Sequence, residues 1–560
     1  MSGREHCRPG RGQGHHMPSI SPASSATDVD VLVVGGGING AGIARDLAGR
    51  GLRVLLVERD DLASHTSSCS TKLIHGGLRY LEQYRFGLVR KALVERELLL
   101  RSMPHLSWPL RFVMPQQPAM RPAWMIRAGL FLYDHLARRS WLPASRALDL
   151  RRDVAGAGLQ PQYTRGFSYA DGWVDDARLV LACAQDAVER GATVHTRCAC
   201  VHVARDAAGW QATLRHGDGR EQRVQARALV NAAGPWAAQF LATIVRDEAG
   251  LPLREHAQLR LVRGSHIVLP RQFSHNDAYL FQASDRRVIF ALPYERDFTL
   301  IGTTDVEVDT LAKGNVVSAA EVEYLCSEAN AFLRTPVHAE QILWCYAGVR
   351  PLLEDAVADP AAATREYRLE LNQPRAAPLL NVWGGKLTTF RVLAAEAGDL
   401  LCRELGEPRA AWTHTALLPG GDLGGWVGAA QTPPADFSRF LQALAANYAW
   451  LPGALRERWA RAYGSRLPLL LRAPHAQPAS GDEAQSLAEL GAEIAPGLHV
   501  AELRYLQQME WARSADDVLW RRSKLGLHYS ATQRAAVADW FAAAVSAAGT
   551  REANGVEAEP

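Results

Sequence analysis

The sequence predicts a mixed α/β (α+β) protein that begins with a parallel-sheet domain and ends with a helical domain. Three observations lead to this class. The chain has 560 residues, too many for one ordinary hydrophobic core, so two or three domains are expected. Residues 30–58 combine short apolar runs, a glycine turn and a helical pattern, as βαβ units do. Beyond Leu400 the pattern becomes helical, with many Ala, Leu, Arg and Trp residues.

Composition narrows the class of protein. Hydrophobic residues make up 48% of the chain and charged residues 22%, which is typical of a soluble globular enzyme. The formal net charge of +3 is too balanced for a nucleic-acid binder. The eight cysteines form no C-x-x-C, and Cys198-Ala199-Cys200 has no second half that would complete a metal site. We therefore expect reduced thiols, no bound metal and no iron–sulfur cluster held by this chain.

The N-terminal residues 1–27 lack the apolar core of a signal peptide. They are rich in Gly, Ser, Pro, His and Arg, so a disordered leader is expected. A transmembrane helix needs about 18 consecutive apolar residues. The sequence contains no such run, so we expect nothing that spans a bilayer, and attachment to a membrane surface stays open.

The first βα unit has the pattern of a dinucleotide-binding (Rossmann-like) fold. Residues 30–34 form a short apolar strand that leads directly into Gly35, Gly37 and Gly40 of a G-x-G-x-x-G turn. A helical pattern and a second apolar strand follow, and that strand ends on Glu58. Gly35 permits the tight turn, Gly37 lets the backbone approach a pyrophosphate, and Gly40 allows helix and strand to pack closely. Glu58 can accept hydrogen bonds from a ribose.

The next segment, residues 61–72, is dense in hydroxyl groups. It is either a solvated loop or a stretch that lies along a long cofactor and bonds to its ribityl and pyrophosphate groups. The βα unit itself does not separate NAD from FAD. The choice between the two depends on what the following motifs resemble.

Residues 73–80, Leu-Ile-His-Gly-Gly-Leu-Arg-Tyr, together with this hydroxyl-rich stretch, closely resemble the aerobic, respiratory FAD-dependent glycerol-3-phosphate dehydrogenases. These enzymes belong to the wider family of D-amino-acid-oxidase-like flavoproteins. Further segments resemble the family in the family's own order, at residues 166–169, 171–179, 231–236, 263–267, 301–305, 348–352, 383–391 and 516–524. The resemblance runs from about Asp28 to about Phe541 and leaves only the leader outside.

The resemblance implies three folded parts. A Rossmann-like FAD domain is assembled from the discontinuous segments 28–100, 165–255 and 340–400. An antiparallel-sheet substrate cap, with a membrane-contacting segment, takes residues 101–164 and 256–339. A helical C-terminal domain takes residues 405–545, and a tail follows at 546–560. Val230 before Asn231-Ala232-Ala233-Gly234 agrees with this plan, since a strand that returns to a glycine turn brings the chain back to the cofactor.

The implied reaction is oxidation of sn-glycerol 3-phosphate at C2 to dihydroxyacetone phosphate, with FAD as hydride acceptor. Such a site needs cations for the phosphate, a base for the hydroxyl proton and a positive group near the flavin pyrimidine. The resemblance places Arg79, Arg350 and Arg365 at the phosphate, because a planar guanidinium matches phosphate oxygens. Arg365 has less local support, since pairing with Glu366 is an alternative. Tyr80 is either a hydroxyl donor beside Arg79 or a packing residue.

Two histidines and a lysine complete the expected site. His266 is favoured as base or substrate ligand and His75 as a flavin-side residue, although spacing alone does not decide between them. Lys386 follows two glycines that allow close approach to a cofactor, and a surface lysine at a helix start is its alternative. The expected catalytic set is His266, Arg350 and Lys386. The expected FAD-binding set is Gly35, Gly37, Ile38, Asn39, Gly40, Glu58, Thr66, Ser67, Ser70, Lys72, Leu73, His75, Gly234, Gly385, Lys386, Leu387 and Thr388.

Residues 121–142 combine aromatic and aliphatic residues with several arginines. This composition suits a helix in the headgroup region of a membrane, and a core-packed helix with a basic outer face is the alternative. The family passes electrons to a membrane quinone, so the resemblance implies a cytoplasmic protein attached peripherally to the inner (cytoplasmic) membrane. A homodimer is an open alternative for its assembly.

Three other functions remain open from the sequence. A glycerol-3-phosphate oxidase would use oxygen and release hydrogen peroxide. An amine or amino-acid oxidase of the same superfamily would need fewer phosphate-binding arginines and lacks the motif of residues 70–80. A non-catalytic flavin-binding membrane protein would leave the arginine and histidine set without a role.

Overall fold

The computed structural model describes residues 27–118, 120–253, 258–311, 314–353, 366–372, 377–472 and 483–554. The strands are β1 (Thr27–Val34), β2 (Val54–Val57), β3 (Leu73–Ile74), β4 (Ser107–Pro115), β5 (Arg146–Asp149), β6 (Arg165–Val174), β7 (Thr193–His195), β8 (Cys198–Asp206), β9 (Gly209–His216), β10 (Glu221–Asn231), β11 (Val245–Arg246), β12 (Leu259–Pro270), β13 (Ala278–Gln282), β14 (Val288–Tyr294), β15 (Phe298–Gly302), β16 (Val306–Glu307), β17 (Trp344–Leu353), β18 (Arg368–Asn372), β19 (Leu379–Trp383), β20 (Glu493–Ala495) and β21 (Leu498–His499). The α-helices are α1 (Ile38–Gly49), α2 (Phe86–Ser102), α3 (Ala123–His135), α4 (Asp176–Glu189), α5 (Ala237–Thr243), α6 (Ala319–Asn330), α7 (Phe390–Glu404), α8 (Gly424–Val427), α9 (Pro433–Asn447), α10 (Gly453–Tyr463), α11 (Leu467–Arg472), α12 (Val500–Met509) and α13 (Ala531–Asn554).

The first sheet has a parallel centre, in the order β11-β8-β9-β10-β1-β2-β7, with β19 beside the end of β10 and β18 beside β19. β1 pairs in parallel with β10 and β2, and β10 pairs in parallel with β19. Val31, Leu32 and Val33 of β1 are fully buried, because helices α1, α4 and α7 cover one face and a second apolar cluster covers the other. The predicted α/β domain built from discontinuous segments is confirmed.

The second sheet is mainly antiparallel and has the order β16-β12-β15-β14-β13-β4-β6-β3, with β17 on β12 and β5 on β6. β6 and β17 lie in this sheet, although the sequence places their segments in the FAD domain. β17 pairs with β12 without interruption from Trp344 to Leu353. Its Gly348 nevertheless packs on Cys69, where an added Cβ would lie 2.8 Å from the Cys69 Cβ. The strand therefore also contacts the loop that follows β2 of the first sheet.

The C-terminal region is helical, as predicted, and α9–α13 enclose their own apolar cluster around Trp459 and Phe440. Buried ion pairs join it to the first domain. Arg178 on α4 pairs with Glu510 at 2.7 Å, and Arg522 Nη2 donates to Asp61 Oδ1 at 2.8 Å. Among the described helices, none combines the length and hydropathy needed to cross a membrane.

Candidate active site

A cavity of about 820 Å³ opens at the carboxyl ends of the parallel strands. Val34 at the end of β1, Val57 at the end of β2 and Gly384 just after β19 all line it. The second sheet contributes Phe290 and Arg350 to the opposite wall. Open α/β sheets bind ligands at this edge, because helix N-termini and loop backbones converge there.

The glycine turn is shaped by close backbone contacts. Gly35 has a φ of +113°, and a Cβ there would lie 2.4 Å from the Ala232 carbonyl oxygen. A Cβ at Gly40 would lie 1.8 Å from the Gly35 carbonyl oxygen. Gly37 faces the cavity, and Gly40 packs behind it without lining it. The turn thus leaves the start of α1 accessible to a ligand.

Glu58 is held rigidly at the cavity wall. Its Oε2 accepts a hydrogen bond from the Gly36 amide at 2.7 Å, and its Oε1 accepts one from the Asp60 amide at 2.9 Å. Burial raises the pKa of this carboxyl, and the two amide donors oppose that rise. The hydroxyl-rich stretch lies alongside, where Ser67 Oγ accepts from the Ile38 amide at 2.9 Å.

The polar lining fits a long dinucleotide such as FAD. Asn39 Oδ1 and Ser64 Oγ are buried at the cavity and have no hydrogen-bond partner within the described residues. Buried acceptors of this kind normally have a partner, so they point to a ligand that supplies donors. Gly234 has a φ of +55° and open space where a side chain would stand. The volume lies within the range of about 300–1,000 Å³ usual for ligand pockets.

Most of the predicted site residues meet in this one cavity. Those that line it are Gly35, Gly37, Ile38, Asn39, Glu58, Thr66, Ser67, Ser70, Leu73, His75, Tyr80, Gly234, Arg350, Gly385, Lys386, Leu387 and Thr388. Arg79 does not line it, and Arg365 lies outside the described residues. Lys72 is fully buried, and its Nζ donates to Asp176 Oδ1 at 2.8 Å instead of facing the cavity.

Two cationic side chains, Arg350 and Lys386, line the cavity. Arg350 forms an ion pair with Asp305, and its Nη2 donates to Thr303 Oγ1 at 3.1 Å. Lys386 Nζ lies 3.9 Å from the centre of the Tyr80 ring. Both cationic side chains line the same cavity, where positive charge favours an anionic ligand.

His266 lies one layer behind this wall. It is fully buried, stacks on Tyr346 with ring centroids 4.8 Å apart, and does not itself line the cavity. Its Nε2 lies 2.9 Å from the hydroxyl of Thr71, which does line it. Burial, reinforced by the charges of Arg350 and Lys72, holds the pKa of His266 well below its usual value, so the ring is neutral.

Sequence reasoning missed several cavity residues. Thr303 lines the cavity and accepts a hydrogen bond from Arg350, and Trp236 lines it as well, with two side chains against its ring. The Arg59 guanidinium lies 4.3 Å from the Trp236 ring centre, and the His65 ring lies 4.6 Å from it. Trp236 and Thr303 each lie in a segment that resembles the family, and this signal could have identified them as site residues. Arg59 and His65 lie far from Trp236 in the sequence, and no spacing rule predicts that they contact its ring.

Helix α3 exposes an apolar surface. It buries only Leu130 and Tyr133, while Trp124, Phe131 and Leu132 are 69%, 57% and 38% exposed. Tyr84 and Phe86, exposed by 79% and 39%, meet edge to face at the start of α2, with ring centroids 6.1 Å apart. We call Tyr84, Phe86, Trp124, Phe131 and Leu132 the α3 patch. Exposed apolar side chains of this size are uncommon in groups on the surface of a monomeric protein and are typical of interaction surfaces.

Helix α3 is linked to the cavity wall through Tyr133, which is buried and lies outside the α3 patch. The Tyr133 hydroxyl donates to buried Asp171 at 2.8 Å and accepts from the Gly76 amide at 2.9 Å. Arg96 pairs with the same carboxylate at 2.7 Å. Gly76 follows His75, which lines the cavity, so α3 and the cavity wall share one hydrogen-bond network.

Comparisons with known proteins agree with this geometry. Residues 30–391 match the family described as DAO, FAD dependent oxidoreductase, and residues 411–551 match the C-terminal domain of alpha-glycerophosphate oxidase. The chain is 48% identical over 520 residues to glycerol-3-phosphate dehydrogenase of Pseudomonas aeruginosa, covering 93% of this chain and 95% of the relative.

Two further relatives bear on cofactor and substrate. D-erythritol 1-phosphate dehydrogenase of Brucella abortus is 45% identical over 513 residues, covering 91% of this chain and 97% of the relative. The crystal structure of glycerol-3-phosphate dehydrogenase from Bacillus halodurans, complexed with FAD, superposes with a TM-score of 0.70 at 25% identity. That comparison covers 93% of this chain and 91% of the solved chain.

Proposed function

Because the chain belongs to the family of FAD-dependent oxidoreductases, we propose that it oxidises sn-glycerol 3-phosphate at C2 and passes the electrons to a membrane quinone. The family resemblance and the FAD cofactor expected from the sequence are confirmed by the family match and by the FAD-bound relative. The observation that supports the proposed substrate is that Arg350 and Lys386 both line the dinucleotide cavity. Two fixed cations suit a phosphate dianion beside the reacting carbon.

The substrate phosphate binds between these cations. Arg350 is fixed by Asp305 and Thr303, so its guanidinium is already oriented when the substrate arrives. Lys386 lies over the Tyr80 ring, which keeps the ammonium at the cavity wall. Arg79 and Arg365 remain proposed phosphate ligands. Each charged contact of this type contributes about 1.5–3 kcal/mol to binding.

The hydroxyl proton leaves through Thr71 toward His266. Thr71 lines the cavity and is in hydrogen-bond contact with the His266 ring, so the buried imidazole can take a proton without contacting the substrate. Burial is the main cause of the low His266 pKa, and Arg350 and Lys72 lower it further. A dianionic phosphate beside Arg350 would offset the Arg350 contribution and make the ring more basic than in the free protein. FAD, held by the glycine turn, Glu58 and the hydroxyl-rich stretch, supplies the hydride acceptor.

The α3 patch supports peripheral attachment to the cytoplasmic membrane. Its aromatic and aliphatic side chains suit the headgroup region, and Arg121 and Arg138 on the same segment suit anionic lipids. A quinone that diffuses within that membrane would reach the protein beside Gly76 and His75, which the Tyr133 network ties to α3.

A second candidate substrate is a longer polyol phosphate such as D-erythritol 1-phosphate. The specific support is the 45% identity to D-erythritol 1-phosphate dehydrogenase, which nearly equals the 48% identity to a glycerol-3-phosphate dehydrogenase. Both compounds carry a secondary hydroxyl beside the phosphate-bearing carbon, so both fit the same pair of cations. We propose glycerol 3-phosphate as the better substrate, and a larger kcat/KM for D-erythritol 1-phosphate would reverse the order.

The acceptor is tested with a water-soluble quinone and with oxygen, each at saturating glycerol 3-phosphate. We expect turnover with the quinone to exceed turnover with oxygen by a wide margin. Stoichiometric hydrogen peroxide at a comparable rate would identify an oxidase instead.

Membrane attachment is tested with the double variant Phe131→Asp/Leu132→Asp in vesicle sedimentation. We expect the variant to stay in the supernatant while its activity with a soluble dye is unchanged. The matched control is Leu251→Asp/Leu417→Asp, which charges two exposed leucines (61% and 38%) outside the α3 patch. Equal sedimentation of both double variants with the unaltered protein would refute attachment through α3.

A further inference from the structure

The turn between β7 and β8 brings together three side chains with the chemistry of metal ligands. His195 ends β7, Cys198 begins β8, and His216 ends β9 directly opposite Cys198 in the antiparallel pairing. One ligand atom from each lies within 4.8 Å of the other two. Cys198 Sγ and His216 Nε2 are 4.0 Å apart. Two imidazoles and a thiol are the donor set that zinc prefers, and no carboxylate stands among them.

We propose that His195, Cys198 and His216 bind a thiophilic divalent metal ion, Zn²⁺ being the expected one, beside the cofactor cavity. The sequence predicts no metal here, because the Cys198-Ala199-Cys200 pair lacks a second cysteine pair. The further ligands come from strand pairing instead, because the register of β8 and β9 places His216 opposite Cys198, which lies 18 positions earlier in the chain.

Closure of the cluster around zinc needs only small movements. Zinc–sulfur and zinc–nitrogen bonds of about 2.3 and 2.0–2.1 Å place tetrahedral ligand atoms roughly 3.5 Å from each other. The observed separation of 4.0 Å between Cys198 Sγ and His216 Nε2 exceeds this by about half an ångström. His195 Nδ1 is buried and has no hydrogen-bond partner within the described residues, so its lone pair is available to a ligand.

The surroundings of the cluster allow a cation to enter. Cys198 is fully buried, whereas both histidines are partly exposed, so the site opens toward solvent on the imidazole side. Gln222 Oε1 lies 3.1 Å from His216 Nε2 and would turn aside or become an oxygen ligand. Asp218 and Arg220 lie 3.8 Å apart at the nearby β9–β10 turn, so their charges offset each other. The fourth position is left to water, as in open zinc sites.

A metal at this position would act on the cofactor site through the backbone. The Glu58 amide donates to the His195 carbonyl at 2.9 Å, and the Cys198 amide donates to the Glu58 carbonyl at 2.8 Å. The two ligands therefore hold the backbone on both sides of Glu58, whose carboxylate faces the cavity. Cys198 lines the cavity as well. We expect zinc to slow FAD release by fixing this wall.

The test uses untagged full-length holoenzyme, freed of metal with a chelator and then dialysed against ZnCl₂. We expect a single tightly held zinc per chain by elemental analysis in the wild type. Cys198→Ser and the conservative variant His216→Gln should lose it, with flavin content reporting that each variant has folded. Cys200→Ser is the matched control, since this thiol lies two residues along the same strand but outside the cluster, and it should keep the metal.

Zinc K-edge X-ray absorption identifies the donors. One sulfur scatterer at about 2.3 Å with nitrogen at about 2.0–2.1 Å is expected, and the sulfur shell should vanish in Cys198→Ser. Zinc content in Cys198→Ser equal to wild type, or a shell of oxygen and nitrogen alone, would overturn the proposal. Equal FAD release rates with and without zinc would overturn the role assigned to the metal.

Discussion

Replacement of Lys72 by methionine tests how the wall of the cofactor cavity is held. Lys72 Nζ donates to both oxygens of Asp176, at 2.8 and 3.0 Å, and to the Ser68 carbonyl at 3.0 Å. The two side chains are only 1% and 0% exposed. Methionine fills most of the volume but leaves the Asp176 carboxylate buried without its counter-ion. Breaking a buried pair in this way costs about 3–5 kcal/mol.

The same change should weaken FAD binding. Ser68 belongs to the 3₁₀ turn Thr66–Ser68, whose first two residues line the cavity, so loss of the lysine loosens this wall. We expect a lower urea midpoint by tryptophan fluorescence and a faster appearance of free flavin fluorescence. The Lys72→Met/Asp176→Asn double variant should recover part of the lost stability, because it removes the uncompensated charge.

The control is Lys91→Met. Lys91 pairs with Glu396 at 2.8 Å, and these side chains are 36% and 45% exposed. Exposed pairs contribute about 0–1 kcal/mol, so this variant should unfold close to the wild type. If Lys72→Met is no less stable than Lys91→Met, the buried Lys72–Asp176 pair does not hold the cavity wall.

Three further predictions follow from the structure. Gly40→Ala should abolish FAD binding, because the added Cβ would lie 1.8 Å from a backbone oxygen of the glycine turn. The control is Gly129→Ala, where an added Cβ has nothing within 4 Å, and this variant should bind FAD normally. A fluorescence titration with FAD measures both variants. Arg522→Met should speed FAD release in stopped-flow dilution, because the buried Asp61 carboxylate in the loop beside the cavity would lose one of its two closest arginine partners and keep Arg521. An unchanged rate would show that Arg522 does not support the loop. Burial raises the pKa of Glu295 to about 7, so the folded state binds its proton more tightly and stability falls as pH rises from about 4.5 to 7. Glu295→Gln should flatten that fall in thermal melts, and an identical pH profile would contradict the assignment.

The parallel core was predictable from the sequence because its signals are local. An apolar run, a glycine turn and an acid within about thirty residues specify strand, turn, helix and strand without knowledge of distant partners. The residues of this unit, from β1 to Glu58, lie where the motif implies.

The direction of individual side chains was not predictable in the same way. Lys72 stands in a polar stretch that lines the cavity, yet its side chain turns inward because Asp176, a hundred residues away, starts α4 beneath it. The sequence predicts His266 as a residue of the site, but in the structure Thr71 lines the cavity and His266 lies behind it. Both outcomes depend on contacts between separate segments, which composition and spacing do not contain.

Register between strands explains the remaining differences. β6 and β17 join the second sheet because they pair along their length with β4 and β12, and sequence order alone does not reveal these partners. The His195, Cys198 and His216 cluster has the same origin, because it exists only when β8 and β9 pair in this register.

Anaerobic addition of sn-glycerol 3-phosphate to the holoenzyme tests whether this compound is the substrate, with the flavin absorbance recorded in a stopped-flow instrument. We predict rapid bleaching by this substrate and none by glycerol or sarcosine, which lack the phosphate that the cations bind. Lys386→Met should lower the rate at limiting substrate by about 10–100-fold, as expected for loss of one charged contact of about 1.5–3 kcal/mol. A flavin that stays oxidised with sn-glycerol 3-phosphate, or that is bleached equally by glycerol, would contradict this choice of substrate.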